Sequence, residues 1–209
     1  MRQIKNVLIL VDQPKNPEFN NPAKYNIDGV VNFYVTTLDL DNSTLVNIGA
    51  WMIIPDDEIN SYADKSHTVA TASDILSRTK KPILLYMHGV ACNRILPVGT
   101  YTVARKNFLV IAVDYRGFGD SGPNVELSES GVVNDNVQLY KWVRAKTENP
   151  IYVWGHSLGT ALSTHTLYEV ALTERNLAIQ GNVTYHQFPP VGYKHVGITK
   201  DPKIPEIIL

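Results

Sequence analysis

The chain has 209 residues, 44% of them apolar, and a formal net charge of −1. That length and content suit one globular domain with a sizeable core, residues 1–209. The near-neutral balance leaves no electrostatic footprint for nucleic acid or a basic membrane patch. The longest apolar runs, residues 7–11 and 108–113, are far short of the roughly 18 residues that cross a bilayer. The run near the N-terminus also stops at Asp12, too early for the apolar stretch of a signal peptide. A single cysteine, Cys92, excludes an internal disulfide.

Residues 1–29 read as irregular, because Pro14, Pro17, Pro22 and the asparagines around them interrupt any long element. A short strand is possible only at 7–11. Residues 30–37 and 45–54 read as two strands joined by the turn residues 39–43, which predicts an antiparallel hairpin. Residues 56–81 are polar at both ends and read as a surface insertion, with a short helix over 70–77. Residues 82–87 (Pro-Ile-Leu-Leu-Tyr-Met) form a near-continuous apolar run, as expected of a strand buried on both faces in a parallel sheet. A short helix is expected over 100–106, a second buried strand over 108–113, and a helix over 132–145, where Val133, Val137, Tyr140 and Val143 share one face. Asn149-Pro150 ends that connection, and 151–154 is the third buried strand. A helix over 158–173, a strand over 182–186 and a terminal turn or two over 205–209 complete the pattern. Alternating strands and helices indicate an α/β fold: a mostly parallel sheet preceded by an antiparallel hairpin.

The chemistry centres on Trp154-Gly155-His156-Ser157-Leu158-Gly159. A strand running into Gly-x-Ser-x-Gly and then into a helix is the shape a serine nucleophile needs. The turn lifts the hydroxyl off the end of the sheet and sets it at a helix N-terminus. Ser157 is therefore the candidate nucleophile, and the Leu158 N–H is a candidate oxyanion donor. His88-Gly89, after the first buried strand, is where a second donor belongs, which nominates the Val90 N–H. With Asp114–Ser121, these loops should share the carboxyl edge of the sheet. The base should follow the nucleophile in the chain. His195, in a loop after the last predicted strand, is preferred; His186, which ends that strand, is the alternative; His165 sits on the helix two turns after Ser157. Between Ser157 and His195 the only carboxylates are Glu169 and Glu174, both on the predicted helix, so the triad acid is unassigned. No cofactor and no metal is expected.

Several segments together resemble one family. They are Leu84-Tyr86-His88-Gly89, the run Asp114-Tyr115-Arg116-Gly117-Phe118-Gly119-Asp120-Ser121, the run Asn149 to Thr160, and Val191-Gly192-Tyr193-Lys194-His195. They are similar to α/β-hydrolases of the domain-containing 12 type, which are lysophosphatidylserine and monoacylglycerol lipases. The resemblance implies an α/β-hydrolase fold, Ser157 as nucleophile, His195 as base and single-chain lipid esters as substrates. It also implies membrane association and a catalytic domain in the endoplasmic reticulum lumen, which the sequons at Asn42 and Asn182 would fit. The family's N-terminal membrane helix has no counterpart here. Near Thr166–Leu167 the chain passes from the helix after the nucleophile to the helix before the last strand, omitting two strands, the lid and the acidic residue. The expectation is a truncated fold with one fused helix over 158–175 and the 182–186 strand beside 151–154. The alternative reading of function is a catalytically inactive, incomplete hydrolase, either a short isoform or a pseudoenzyme.

Overall fold

The computed structural model describes residues 16–62 and 66–175. The expected strands at 7–11 and 182–186, the terminal turns at 205–209, and His186 and His195 lie outside the described residues. β1 (Val30–Leu38) and β2 (Leu45–Ile53) form the antiparallel hairpin, in register from Val30↔Ile53 to Leu38↔Leu45. Its turn is closed by Asp41, whose carboxylate accepts the Ser43 and Thr44 N–H groups, both at 2.8 Å. β3 (Ile83–Met87), β4 (Leu109–Val113) and β5 (Ile151–Gly155) follow, and the sheet order is β1-β2-β4-β3-β5. β4 pairs antiparallel to β2, while β3 lies parallel to both β4 and β5. Every residue of β3 and β4 is buried, as their unbroken apolar runs require. β5 corrects the expectation of a third buried strand: it is only half-buried and exposes Tyr152, because among the described residues it is the outer strand, paired on one side only. The chain leaves β3 for β4 on one side and returns past β3 to β5 on the other. Strand order therefore reverses between β3 and β5, the place where open α/β sheets form a crevice at their carboxyl ends.

Four α-helices stand among the described residues: α1 (Val69–Arg78), α2 (Val98–Ala104), α3 (Glu129–Arg144) and α4 (Leu158–Arg175). α3 begins ahead of the expected residue 132 because Ser128 caps it, its Oγ accepting from the Gly131 N–H at 3.1 Å. Glu129 in the first turn and Lys141 and Arg144 in the last complement the helix dipole. α2 starts directly after Pro97, whose fixed φ suits a helix entry, and so also runs ahead of its expected position. α4 is one uninterrupted helix, as the fused reading requires.

Residues 56–81 correct the expectation of a surface insertion. One face of α1 (Ala72, Ile75, Leu76) is buried in the main core together with Tyr62. Glu58 fastens the ends of this segment, accepting from the Thr79 hydroxyl at 2.7 Å, the Tyr62 hydroxyl at 3.1 Å and the Lys80 N–H at 3.0 Å. The polar flanks are surface, but the helix between them closes the core.

Two of the buried arginines tie the loops at the carboxyl edge to the sheet. In the loop after β3, Arg94 donates its backbone N–H to Asp114 Oδ1 and its Nη1 to Asp114 Oδ2, each at 2.5 Å. It also reaches Asp120 at 2.9 Å and Asn32 Oδ1 on β1 at 3.1 Å, and its guanidinium lies 3.5 Å from the Phe19 ring centroid. In the loop after β4, Arg116 grips both oxygens of Asp135 on α3 (2.6 and 2.9 Å) and Asp39 in the hairpin turn (2.8 Å), while the Thr37 hydroxyl donates to Asp135 at 2.6 Å.

These assignments predict two stability outcomes, both read from urea unfolding. Ile75→Ala should cost about 2–5 kcal/mol, whereas Ser77→Ala on the exposed face of α1 should stay within about 0.5 kcal/mol. Arg94→Met leaves Asp114 buried without its cation and should cost about 3–5 kcal/mol, part of which the double variant Arg94→Met/Asp114→Asn recovers.

Candidate functional site

The parallel register puts Met87 opposite both Val113 and Gly155, so β3, β4 and β5 end level with one another. The loops that follow, beginning at His88, Asp114 and His156, therefore leave from one edge of the sheet. Pairing continues one residue past β5, where the His156 N–H donates to the Met87 carbonyl at 2.9 Å. The chain then reverses at once. Ser157 adopts φ 53°, a left-handed conformation, and Leu158 is already the first residue of α4. The Gly159 N–H closes the turn onto the His156 carbonyl at 2.8 Å, and the Thr160 hydroxyl donates to the Gly155 carbonyl at 3.0 Å.

Contact, not torsion, demands the two flanking glycines. A Cβ on Gly155 would stand 2.3 Å from the Gly159 carbonyl oxygen, and one on Gly159 would stand 2.1 Å from that of Met87. The first turn of α4 thus rests directly on the backbone ends of β5 and β3, and Ser157 is left exposed at the tip. The loop after β3 touches this elbow at Gly89, where an added Cβ would meet His156 Nδ1 at 3.0 Å and Ser157 Cβ at 3.2 Å.

Ser157, Leu158 and the Gly89–Val90 peptide are accordingly brought together. Among the described residues neither the Val90 N–H nor the Leu158 N–H donates to a backbone acceptor outside the helix ladder. Leu158 N–H is in any case one of the first-turn donors that a helix leaves unsatisfied, and it stands at the positive end of an 18-residue helix. His88 lies beneath this loop. Its Nδ1 is 2.8 Å from the Gly89 carbonyl oxygen, its own carbonyl accepts from the Tyr115 hydroxyl at 2.8 Å, and its ring packs on Tyr115 and Phe118. Burial pushes the His88 pKa down, with the nearby Asp114 charge opposing, so the ring is neutral near pH 7.

The preferred base, His195, and its alternative, His186, lie outside the described residues. His165, two turns along α4 from Ser157, is paired instead with carboxylates, Glu129 at 3.1 Å and Glu169 at 3.7 Å. Cys92, close by in the loop after β3, is no competing nucleophile: burial, and secondarily Asp114, push its thiol up to about 12. Among the described residues no group of His, Cys, Asp or Glu side chains could hold a metal ion, and no helix is long and apolar enough to cross a membrane. Sequence reasoning missed Arg94, Asn32 and Phe19, which fasten the loop after β3. An arginine in an aperiodic loop gives no sign of burial, and Phe19 lies in a stretch that only tertiary contact orders.

A family model described as Serine aminopeptidase, S33 matches residues 78–184, just over half of the chain. Lysophosphatidylserine lipase ABHD12 of Xenopus tropicalis is 34% identical over 162 residues, which are 76% of this chain and 39% of that protein. Protein ABHD12B of Homo sapiens is 32% identical over 155 residues, 72% of this chain and 38% of that protein. Among solved structures, the Pyrococcus furiosus esterase Pf2001 gives a TM-score of 0.48 at 20% identity, covering 77% of this chain and 54% of that one. The chain spans less than two fifths of the length of each of these curated relatives. The family match takes in β3, the loop after it, β4 and the Ser157 elbow: this chain belongs to the serine aminopeptidase S33 family of α/β-hydrolases.

Proposed function

We infer that the chain is a serine hydrolase of lipid carboxyl esters, of the lysophospholipid or monoacylglycerol lipase type. The observation that carries this reading is the backbone of Ser157: φ 53° between a parallel strand and a helix N-terminus, with the Gly89–Val90 peptide against it. Ser157 Oγ attacks the ester carbonyl carbon and gives its proton to His195. The carbonyl oxygen becomes an oxyanion held by the Leu158 and Val90 N–H groups. Collapse breaks the ester C–O bond, and the leaving alcohol takes the proton from His195. Water, deprotonated by the same histidine, then attacks the acyl-serine carbonyl carbon; the bond to Ser157 Oγ breaks, the serine takes the proton back from the histidine, and the fatty acid leaves. No cofactor enters.

Two things support a lipid substrate. The curated relatives include proteins named lysophosphatidylserine lipase. The segments that carry the oxyanion donors also expose apolar side chains, Val90 and Leu96 in the loop after β3 and Leu158 in the first turn of α4. The lumenal setting implied by the resemblance belongs to the same proposal, and Asn42 of the first sequon stands in the exposed hairpin turn, open to a glycosyltransferase.

A fluorophosphonate probe tests the reading. The unmutated chain should be labelled, and Ser157→Ala should not. His195→Gln should slow labelling and ester turnover by about 10²–10⁴, while His165→Ala should leave both unchanged. A chain that takes no label is the incomplete, inactive hydrolase instead.

A further inference from the structure

We propose that His88 is a positioning residue: it holds the Gly89 carbonyl inward and thereby aims the Val90 N–H outward, at the place where the oxyanion forms. This rests on the reading of Ser157 as nucleophile given above.

The argument is one of peptide geometry. A trans peptide is planar, and its C=O and N–H point in opposite directions. No cis peptide bond occurs among the described residues. The Gly89 carbonyl oxygen lies 2.8 Å from His88 Nδ1, in a ring that is itself buried against Tyr115 and Phe118. With that oxygen fixed on the buried side, the N–H of the same peptide is turned to the other side, where Gly89 meets Ser157. Something has to fix this plane, because Gly89 has no Cβ to restrict its own torsions. Two residues on, Ala91 holds a left-handed φ of 55°, so the loop is not a relaxed turn that would set the plane unaided.

The second nitrogen of the ring supports the same assignment. A carbonyl oxygen only accepts, so Nδ1 carries the proton. In a neutral ring Nε2 is then an acceptor. It stands 3.5 Å from Asp114 Oδ1, itself an acceptor, and has no hydrogen-bond partner. The opposite tautomer would turn an N–H toward Asp114 but set the Nδ1 lone pair against the Gly89 carbonyl. A buried ring that leaves one nitrogen unsatisfied marks the bond it does make as the one its position serves. Asp114 cannot turn away to relieve the contact, because both of its oxygens are held by Arg94.

Two substitutions in the full chain separate positioning from packing. His88→Phe keeps an aromatic ring against Tyr115 and Phe118 but removes the donor. His88→Asn can place an amide N–H where Nδ1 stands. The rate constant for fluorophosphonate labelling of Ser157 should fall about tenfold to a hundredfold in His88→Phe, a mis-aimed oxyanion donor being comparable to part of a lost one. Most of that loss should return in His88→Asn. Nitrogen-15 spectra should show the Nδ1–H tautomer for His88 in the unmutated chain. The Val90 amide resonance should move in His88→Phe and stay in place in His88→Asn. An Nε2–H tautomer overturns the proposal, as does labelling of His88→Phe at the unmutated rate, or of His88→Asn as slowly as His88→Phe. If the unmutated chain takes no label, the hydrolase reading falls. The Val90 resonance then decides whether His88 aims the peptide, and no movement in His88→Phe refutes it.

Discussion

The site depends on a close approach of backbone to backbone. The first turn of α4 sits on the carbonyl end of β3, with Gly159 so near Met87 that no side chain could intervene. Because β3 is the central parallel strand, flanked by β4 and β5, this contact sets the height at which the serine stands relative to the loop after β3. Core interiors deform little, and β3 and β4 beneath are fully buried, so the elbow and the oxyanion loop share one rigid reference. The carboxyl ends of three strands provide the platform; two glycines let a helix land on it.

The charged clamps act at a larger radius. Arg94 and Asp114 lock the loop after β3 to the end of β4, and Asn32 and Phe19 bring the hairpin and the N-terminal segment into the same knot. Arg116 and Asp135 do the corresponding work between the loop after β4, α3 and the hairpin turn. Buried ion pairs of this kind add little net stability over a well-packed apolar replacement, since desolvation offsets much of the attraction. Their consequence here is geometric. Each arginine has several directed donors and meets acceptors from separate parts of the chain, so the loops around the site have one arrangement rather than several.

Much of this was legible in the amino-acid order. The unbroken apolar runs of β3 and β4 announce buried parallel strands, and Gly155 and Gly159 around Ser157 announce the elbow; the equally apolar run of β5 gives no sign that its outer position leaves Tyr152 exposed. Apolar spacing places the start of α3 at Val132, while the helix begins directly after its Ser128 cap. The burial of α1 was hidden by its charged flanks, although Ala72, Ile75 and Leu76 carry the spacing of a helix face. Arg94 could not be read at all: burial of an arginine is decided by partners distant in the chain, Asn32 and Asp114, and neither has a local pattern linking it to residue 94. His88 was legible as half of a His-Gly pair, but what its ring does depends on a carbonyl direction that only the folded loop defines.

The left-handed backbone at Ser157 has a consequence for how the sequence is maintained. A residue with a Cβ in that conformation costs about 1–2 kcal/mol, and glycine or asparagine would sit there with less strain. Random substitution at this codon therefore has easy ways to relieve the fold, and a chain selected for folding alone would drift toward them. A serine at this position is the choice that stability disfavours, and what it offers in return is a hydroxyl at the tip of the turn.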